Sequence, residues 1–251
     1  MKSISWCVTV CDELTEITTL LNFLQQNIRD EDEIVVQYDL NKVSEPVLEY
    51  LTLMDKIHDN HTITGFPLNN DFATFKNNLK KHSTKDYIFQ CDADEIPHEN
   101  LMNTLGELLE SNPVDLIFVP RINTVDGITQ EHVDNWNWKV SKLETQVGEK
   151  EMDTESDEYK YLKKLGYITG ESSNPNDTTN NVQYYLPVNN FPDFQTRIYR
   201  RTPDIEWLGK VHERITGYDT FSNFPAEEIW CMYHYKSISK QESQNSMYEK
   251  I

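Results

Sequence analysis

Between residues 4 and 91, short apolar runs alternate with stretches of helical periodicity, and this alternation restricts the fold more than anything else in the chain. Residues 4–10 form an apolar run, followed over 16–27 by Ile17, Leu20, Leu21 and Leu24 at helical spacing. A second run covers 33–38, after which Ser44, Glu45 and Pro46 open a helix with Val47, Leu48, Leu51 and Met54 on its inner face. A third strand over 62–66, a helix over 72–81 and a fourth strand over 86–91 complete the series β-α-β-α-β-α-β. Parallel strands need crossover connections, so the pattern predicts an α/β fold with a mostly parallel central sheet covered by helices on both faces.

The fourth strand runs straight into Asp92, Ala93, Asp94 and Glu95. Ligands of open α/β sheets collect outside the carboxyl ends of the strands, so acids placed there point to a cation or a ligand. Asp92 and Asp94 lie two apart, and in a turn both carboxylates reach one point. Their oxygens are hard ligands suited to Mn²⁺ or Mg²⁺, and Mg²⁺ takes one or two carboxylates and completes its shell with water and substrate phosphate. The alternative is that Asp94 or Glu95 caps a helix opening near Pro97. An EF-hand is disfavoured because Pro97 stands where that loop needs its turn glycine.

The 251 residues carry 23 Lys and Arg against 42 Asp and Glu, a net charge of −19, which repels nucleic-acid phosphates and anionic lipid heads. Nucleic acid is therefore not an expected partner, although Arg197, Arg200, Arg201, Lys210 and Arg214 gather late in the chain, a patch suited to one small anion. The cysteines Cys7, Cys11, Cys91 and Cys231 lack zinc-type spacing and fall mostly in apolar runs, as free thiols do in a reducing compartment. The N-terminal run is broken early by Asp12 and Glu13, and no later stretch reaches membrane-spanning length. A soluble, cytoplasmic protein is expected, in which the sequon at Asn176 carries no weight.

Beyond the acidic turn, a helix is expected over 97–110 and a strand over 115–120, with further strands over 194–200 and 228–235. Residues 141–183 are polar and charged, and read as a surface insertion or a lid over substrate. Trp136 and Trp138 precede it, where packing is favoured over sugar stacking. The tail over 237–251 is polar, and the whole of 1–251 is expected to be one domain.

Several segments, in order, resemble one family. Residues 70–79 (NDFATFKNNL) and 86–95 (DYIFQCDADE), then 195–201 (QTRIYRR), 207–213 (WLGKVHE) and 230–235 (WCMYHY), are similar to runs of the family 2 glycosyltransferases, nucleotide-sugar enzymes of the GT-A fold. The resemblance spans residues 3 to 236, apart from the 141–183 insertion.

It implies transfer of a sugar from a nucleotide-diphosphate donor to a saccharide or other hydroxyl acceptor, inverting and dependent on Mn²⁺ or Mg²⁺. Asp94 would bind the metal, Asp92 would contact the ribose or share the metal, and Thr9, Cys11 and Asp39 would line the nucleoside pocket. Glu213 would be the general base, with Arg197 or Arg200 offsetting charge on the departing diphosphate. His234, or His212 in its place, would be a further metal ligand. Lys76 departs from the family's usual Arg, and meets a phosphate as a point charge rather than a planar fork. For Glu213 the alternative is a surface ion pair with Lys210 or Arg214, and for His234 a hydrogen-bonded core residue. Two rival functions remain: a saccharide- or nucleotide-binding protein of the same fold, and a sugar-phosphate nucleotidyltransferase. The latter would need a glycine-rich basic loop that residues 9–16 (TVCDELTE) lack.

Overall fold

The computed structural model describes residues 1–173 and 179–248. The sequon and the end of the tail, 249–251, lie outside the described residues. The elements in order are β1 (Ile4–Val10), α1 (Leu14–Asn27), β2 (Glu33–Asp39), α2 (Glu45–Ile57), β3 (His61–Phe66), α3 (Phe72–Lys81), β4 (Tyr87–Asp92), β5 (Glu95–Pro97), α4 (Glu99–Ser111) and β6 (Leu116–Asp126). Then come α5 (Gln130–Trp136), β7 (Val140–Asp153), α6 (Asp157–Lys164), β8 (Ile168–Ser173), β9 (Thr179–Arg200), β10 (Glu206–Leu208), β11 (Arg214–Thr216) and β12 (Phe221–Asn223). A 3-10 turn (Glu228–Trp230), β13 (Met232–Ser237) and α7 (Ile238–Tyr248) end the chain. By its internal contacts the chain divides into two compact units, Met1–Pro120 with Phe194–Met232 and Arg121–Asp193 with Tyr233–Ile251.

In the first unit the strands lie in the order β3-β2-β1-β4, and every pair in that series is parallel. Both faces are buried, as the continuous apolar runs require. Ile4, Trp6, Val8 and Val10 of β1 enter one core with α1, α2 and α4, while Cys7 points into the other with Ala73 and Leu79 of α3. Trp6 stacks on Phe89 at 4.6 Å, tying β1 to β4 within the first core. The parallel expectation ends at β9, which runs antiparallel on β4 with Tyr87 opposite Arg200 and Phe89 opposite Ile198. The sheet is mixed, because the chain reaches β9 after a long excursion rather than by a helical crossover.

That excursion builds the second unit. The polar segment expected as an insertion or lid is folded over its described residues: β7 and β8 both pair antiparallel with β9, and Val182 faces Lys150 on one side and Glu171 on the other. Its core is Met152, Tyr159, Leu162, Tyr167, Val182 and Tyr184. Trp136 and Trp138 pack on each other at 4.8 Å. The polar tail carries α7 over its described residues. Among the described residues, no helix is long and apolar enough to cross a membrane.

Candidate functional site

The acidic turn does not cap a helix. Glu95–Pro97 is a short strand, and α4 starts at Glu99 with His98 as its cap, the ring Nδ1 accepting from the Asn100 N–H at 3.0 Å. The carboxylates are instead organised from β1 and β9. Thr9 is the register partner of both Gln37 on β2 and Asp92 on β4, so the ends of the three strands stand level. The Ala93 N–H donates to the Thr9 carbonyl at 3.0 Å, and Thr9 Oγ1 donates to Asp92 Oδ1 at 2.8 Å.

From the other side comes Arg197, just beyond the last paired position of β9. Its guanidinium donates to Glu95 Oε1 at 2.5 Å and to Asp92 Oδ2 at 3.1 Å. Glu95 is fully buried, Arg197 is 4% exposed, and the Asp92 N–H donates to Glu95 Oε2 at 3.1 Å. Burial alone would lower the Arg197 pKa, but the Glu95 and Asp92 carboxylates outweigh it and hold the group above its ordinary value. Arg197, expected on the donor's phosphates, thus organises the acidic turn. Arg200 stands at the opposite end of β4, where it faces Asp115 at 3.0 Å and lies 5.5 Å from the Tyr87 ring. The strand pairing separates it from the acidic turn, because it lies opposite the first residue of β4 and Asp92 is the last.

The turn after β1 holds Cys11, half-buried, with its N–H donating to Glu13 Oε2 at 2.9 Å; the Asp12 N–H donates to the same oxygen at 3.1 Å. Burial, with Asp12, Glu13 and Asp39 nearby, pushes the Cys11 thiol up to about 11, so it stays protonated at neutral pH. Asp39, 2% exposed, accepts from the N–H groups of Asn41 and Leu68, each at 3.1 Å, and so ties the loop after β2 to the loop before α3.

Asp71 caps α3 through Thr74 N at 3.0 Å, and the helix is fastened to β2 by Gln37, which donates to the Phe75 carbonyl at 2.7 Å and accepts from Asn78 at 2.8 Å. Gln37 neighbours Thr9 in the sheet, so α3 is anchored at the level of the acidic turn. Lys76 projects from α3 with Nζ 2.6 Å from Glu213 Oε1 and 4.5 Å from the centre of the Trp207 ring. Glu213 therefore pairs with Lys76, not with Lys210 or Arg214 as the surface alternative supposed. His212 is exposed, with a φ of 54°.

His234 belongs to the second unit, where it is 6% exposed and its Nδ1 lies 2.7 Å from Asn123 Oδ1. Sequence reasoning weighed Glu95 only as an acid of the turn or a helix cap, and missed the parts played by Glu13, Gln37 and Trp207. The signal for Glu95 was available: Arg197 alternates with the inward Tyr199 on an apolar strand, and a buried guanidinium implies a carboxylate partner.

Among the described residues, no group of three His, Cys, Asp or Glu is arranged to hold a metal ion. The donor set still fits Mn²⁺ or Mg²⁺. Arg197 is the cation paired with Asp92 and Glu95, and Asp94 adds a further half-buried carboxylate to the turn. A hard cation needs only one or two such oxygens when diphosphate and water supply the rest.

No family model and no curated protein matches the chain. Solved structures do. The crystal structure of S. aureus TarS 1-349 superposes with a TM-score of 0.53 at 13% identity, over 94% of this chain and 60% of that one. The same piece in complex with UDP-GlcNAc gives 0.53 at 14% identity over 94% and 59%, and the longer S. aureus TarS gives 0.52 at 14% over 98% and 38%. The chain thus spans three-fifths or less of the length of these proteins. At these identities the likeness shows the fold alone, the mixed α/β sheet flanked by helices that this chain shares with the TarS structures.

Proposed function

We propose that the protein is an inverting, metal-dependent glycosyltransferase that moves a sugar from a nucleotide-diphosphate donor to a saccharide or other hydroxyl acceptor. The observation that carries this reading is the acidic turn itself, where Thr9 and Arg197 fix Asp92 from two sides and Asp94 follows at the level of the strand ends. Thr9, Cys11 and Asp39 line the nucleoside side of the site. Asp94, with Asp92 beside it, would hold Mn²⁺ or Mg²⁺, which when bound supplies countercharge for the departing diphosphate.

Glu213 is the general base. Its carboxylate takes the acceptor hydroxyl's proton as that oxygen attacks the anomeric carbon opposite the leaving group, so the new C–O bond forms as the bond to the diphosphate breaks. Lys76 holds that carboxylate in place. Arg197 acts by positioning Asp92, and Arg200 has no role in this scheme. Against nucleotidyl transfer stands Glu13, whose carboxylate already occupies the Cys11 and Asp12 N–H groups that would otherwise cradle a triphosphate.

A thermal-shift panel tests the proposal, with UDP, GDP, dTDP and CMP nucleotides and their sugars, with and without Mn²⁺, on wild type and Asp94→Ala. A nucleotide at a hundredfold its Kd stabilises by about 2.7 kcal/mol, a rise of about 5 to 11 °C for a chain of this size. One nucleotide should produce that rise only with Mn²⁺, and Asp94→Ala should abolish it. No rise with any of them overturns the proposal. The Lys76–Glu213 ion pair also suits a second reading, a binding protein of this fold in which the carboxylate is purely structural. Turnover by wild type that falls by about 10²- to 10⁴-fold in Glu213→Gln while the nucleotide shift persists excludes it.

A further inference from the structure

The helix α2 turns one face inward and leaves the other uncovered. Val47, Leu51 and Met54 are buried, whereas Leu48, Leu53 and Ile57 are 38%, 53% and 57% exposed. The helix packs on α1 and on β3, the edge strand of the parallel series β3-β2-β1-β4. Glu45, Leu48, Glu49, Thr52, Leu53 and Lys56 line one shallow depression on its outer side. With about 100° of turn per residue, Glu45, Glu49, Thr52 and Lys56 form a row along that side, and Leu48 and Leu53 flank the row on its two edges.

Charge along the row is ordered. Acids hold its first half, and its one base stands at the far end, about 17 Å from Glu45. The helical neighbours of Lys56 one turn earlier are Thr52 and Leu53, so the helix offers that ammonium no acid there. Thr52 Oγ1 donates to the Leu48 carbonyl at 2.7 Å, so the middle of the row carries no unmet donor. Reversal about a point between Tyr50 and Leu51 exchanges the six residues in pairs: Glu45 with Lys56, Leu48 with Leu53, and Glu49 with Thr52. A face that maps onto itself in this way matches its own copy on an antiparallel helix, as in a two-fold interface, where residue i meets j and j meets i.

We propose that the outer face of α2 is a homodimer surface, covered by α2 of a second copy running antiparallel. At each end of the interface the Lys56 ammonium then meets the partner's Glu45, while Glu49 and Thr52 meet in the middle and the leucines cover both edges. A uniformly acidic or uniformly basic partner would leave one end of the row mismatched. One helix on each side buries a small area, of the transient class, so association in the micromolar range is expected. The net charge of −19 opposes it at long range, but salt at 0.15 M screens that repulsion beyond about 8 Å. The assignment uses α2 alone and does not depend on the sugar-transfer reading.

The test is sedimentation velocity on the full chain over a micromolar concentration series in about 0.15 M salt, with wild type, Glu45→Lys and Lys56→Glu. Wild type should pass from monomer to dimer as concentration rises. Each reversal sets like charges opposite one another at both ends and should weaken self-association by about tenfold or more. Mixed in equal amounts, the two variants should form a heterodimer, because the two acids of one then face the two bases of the other. That recovery separates a lost contact from a lost fold. A wild type that stays monomeric throughout overturns the second copy as the occupant of this face. A dimer that both reversals leave unchanged assembles through another surface and overturns it equally, as does a mixture of the two variants that fails to associate.

Discussion

Lys76 and Glu213, 137 residues apart in sequence, form an ion pair of 2.6 Å whose side chains are only 6% and 15% exposed. The ammonium also lies over Trp207, so one lysine fastens both the Glu213 carboxylate and an aromatic ring to α3. An Arg at this position would bring a forked guanidinium to the place where a single compact charge meets a single carboxylate oxygen.

Removing the lysine should leave Glu213 unpaired in a poorly solvated position. Lys76→Met is expected to cost about 3 kcal/mol, a fall in Tm of about 6 to 12 °C, because breaking one side of a buried pair is worse than lacking the pair. The double variant Lys76→Met with Glu213→Leu should recover most of that loss. Thermal unfolding of wild type, both single variants and the double variant checks this; a double variant no more stable than Lys76→Met would show that the pair is not what holds α3.

Arg197 carries a heavier structural role. Arg197→Met strands the fully buried Glu95 beside Asp92 and should destabilise the chain by about 3 to 5 kcal/mol. Arg197→Lys restores a charge but not two donors from one planar group, and should recover only part. Denaturant titration measures both, and an Arg197→Met variant within 1 kcal/mol of wild type (a surface-like cost) would contradict the arrangement.

His61 gives a pH dependence of definite sign. It is 7% exposed, stacks on His58 at 4.8 Å and meets Gln25 through Nε2 at 2.9 Å. Burial first, then the neighbouring His58, lowers its pKa from 6.5 to about 4, against a smaller opposing pull from Asp55. The unfolded chain binds this proton more readily, so the stabilisation is complete above about pH 6.5 and drains away as pH falls toward 4, by about 3 kcal/mol. His61→Gln should flatten that part of the stability profile, measured by urea unfolding from pH 7.5 to 4.

Two glycines separate backbone strain from collision. Gly217 has a φ of +81°, and a Cβ there would stand 1.8 Å from the Asp204 carbonyl oxygen; Gly166 has a φ of +68° with nothing within 4 Å. Gly166→Ala should cost only the left-handed conformation, about 1 kcal/mol. Gly217→Ala adds a backbone clash and should cost about 3 kcal/mol or more. Equal melting temperatures for the two variants would be inconsistent with the close approach at Gly217.

The first half of the fold was legible because its signals are local. The apolar runs of β1, β2 and β4 and the spacing of Ile17, Leu20, Leu21 and Leu24 report burial directly, and the observed elements begin and end within about two residues of those expected. The second unit was not legible because Tyr159, Tyr161, Tyr167 and Tyr184 supply much of its buried surface, and β7 buries only Met152 along its length. Tyrosine is amphipathic and a mostly exposed strand shows no clean alternation, so the segment looks like a polar loop. The site was legible where residues are close in sequence, as in the acidic turn. Its long-range links were not, because nothing near Lys76 announces Glu213 and nothing near Asp92 announces Arg197.

One side of α3 meets the same later segment at every turn. The Phe72 N–H donates to the Lys210 carbonyl, Lys76 pairs with Glu213, Asn77 exchanges two hydrogen bonds with the Trp207 backbone, and Lys80 donates to the carbonyls of Thr202 and Ile205. The helix therefore works as a ruler against which residues 202–213 are read. Adding one residue inside it would rotate every later mark by about 100° and release the whole segment at once. Helix and segment therefore cannot change length independently of each other, a constraint set by backbone spacing and indifferent to the chemistry at the strand ends.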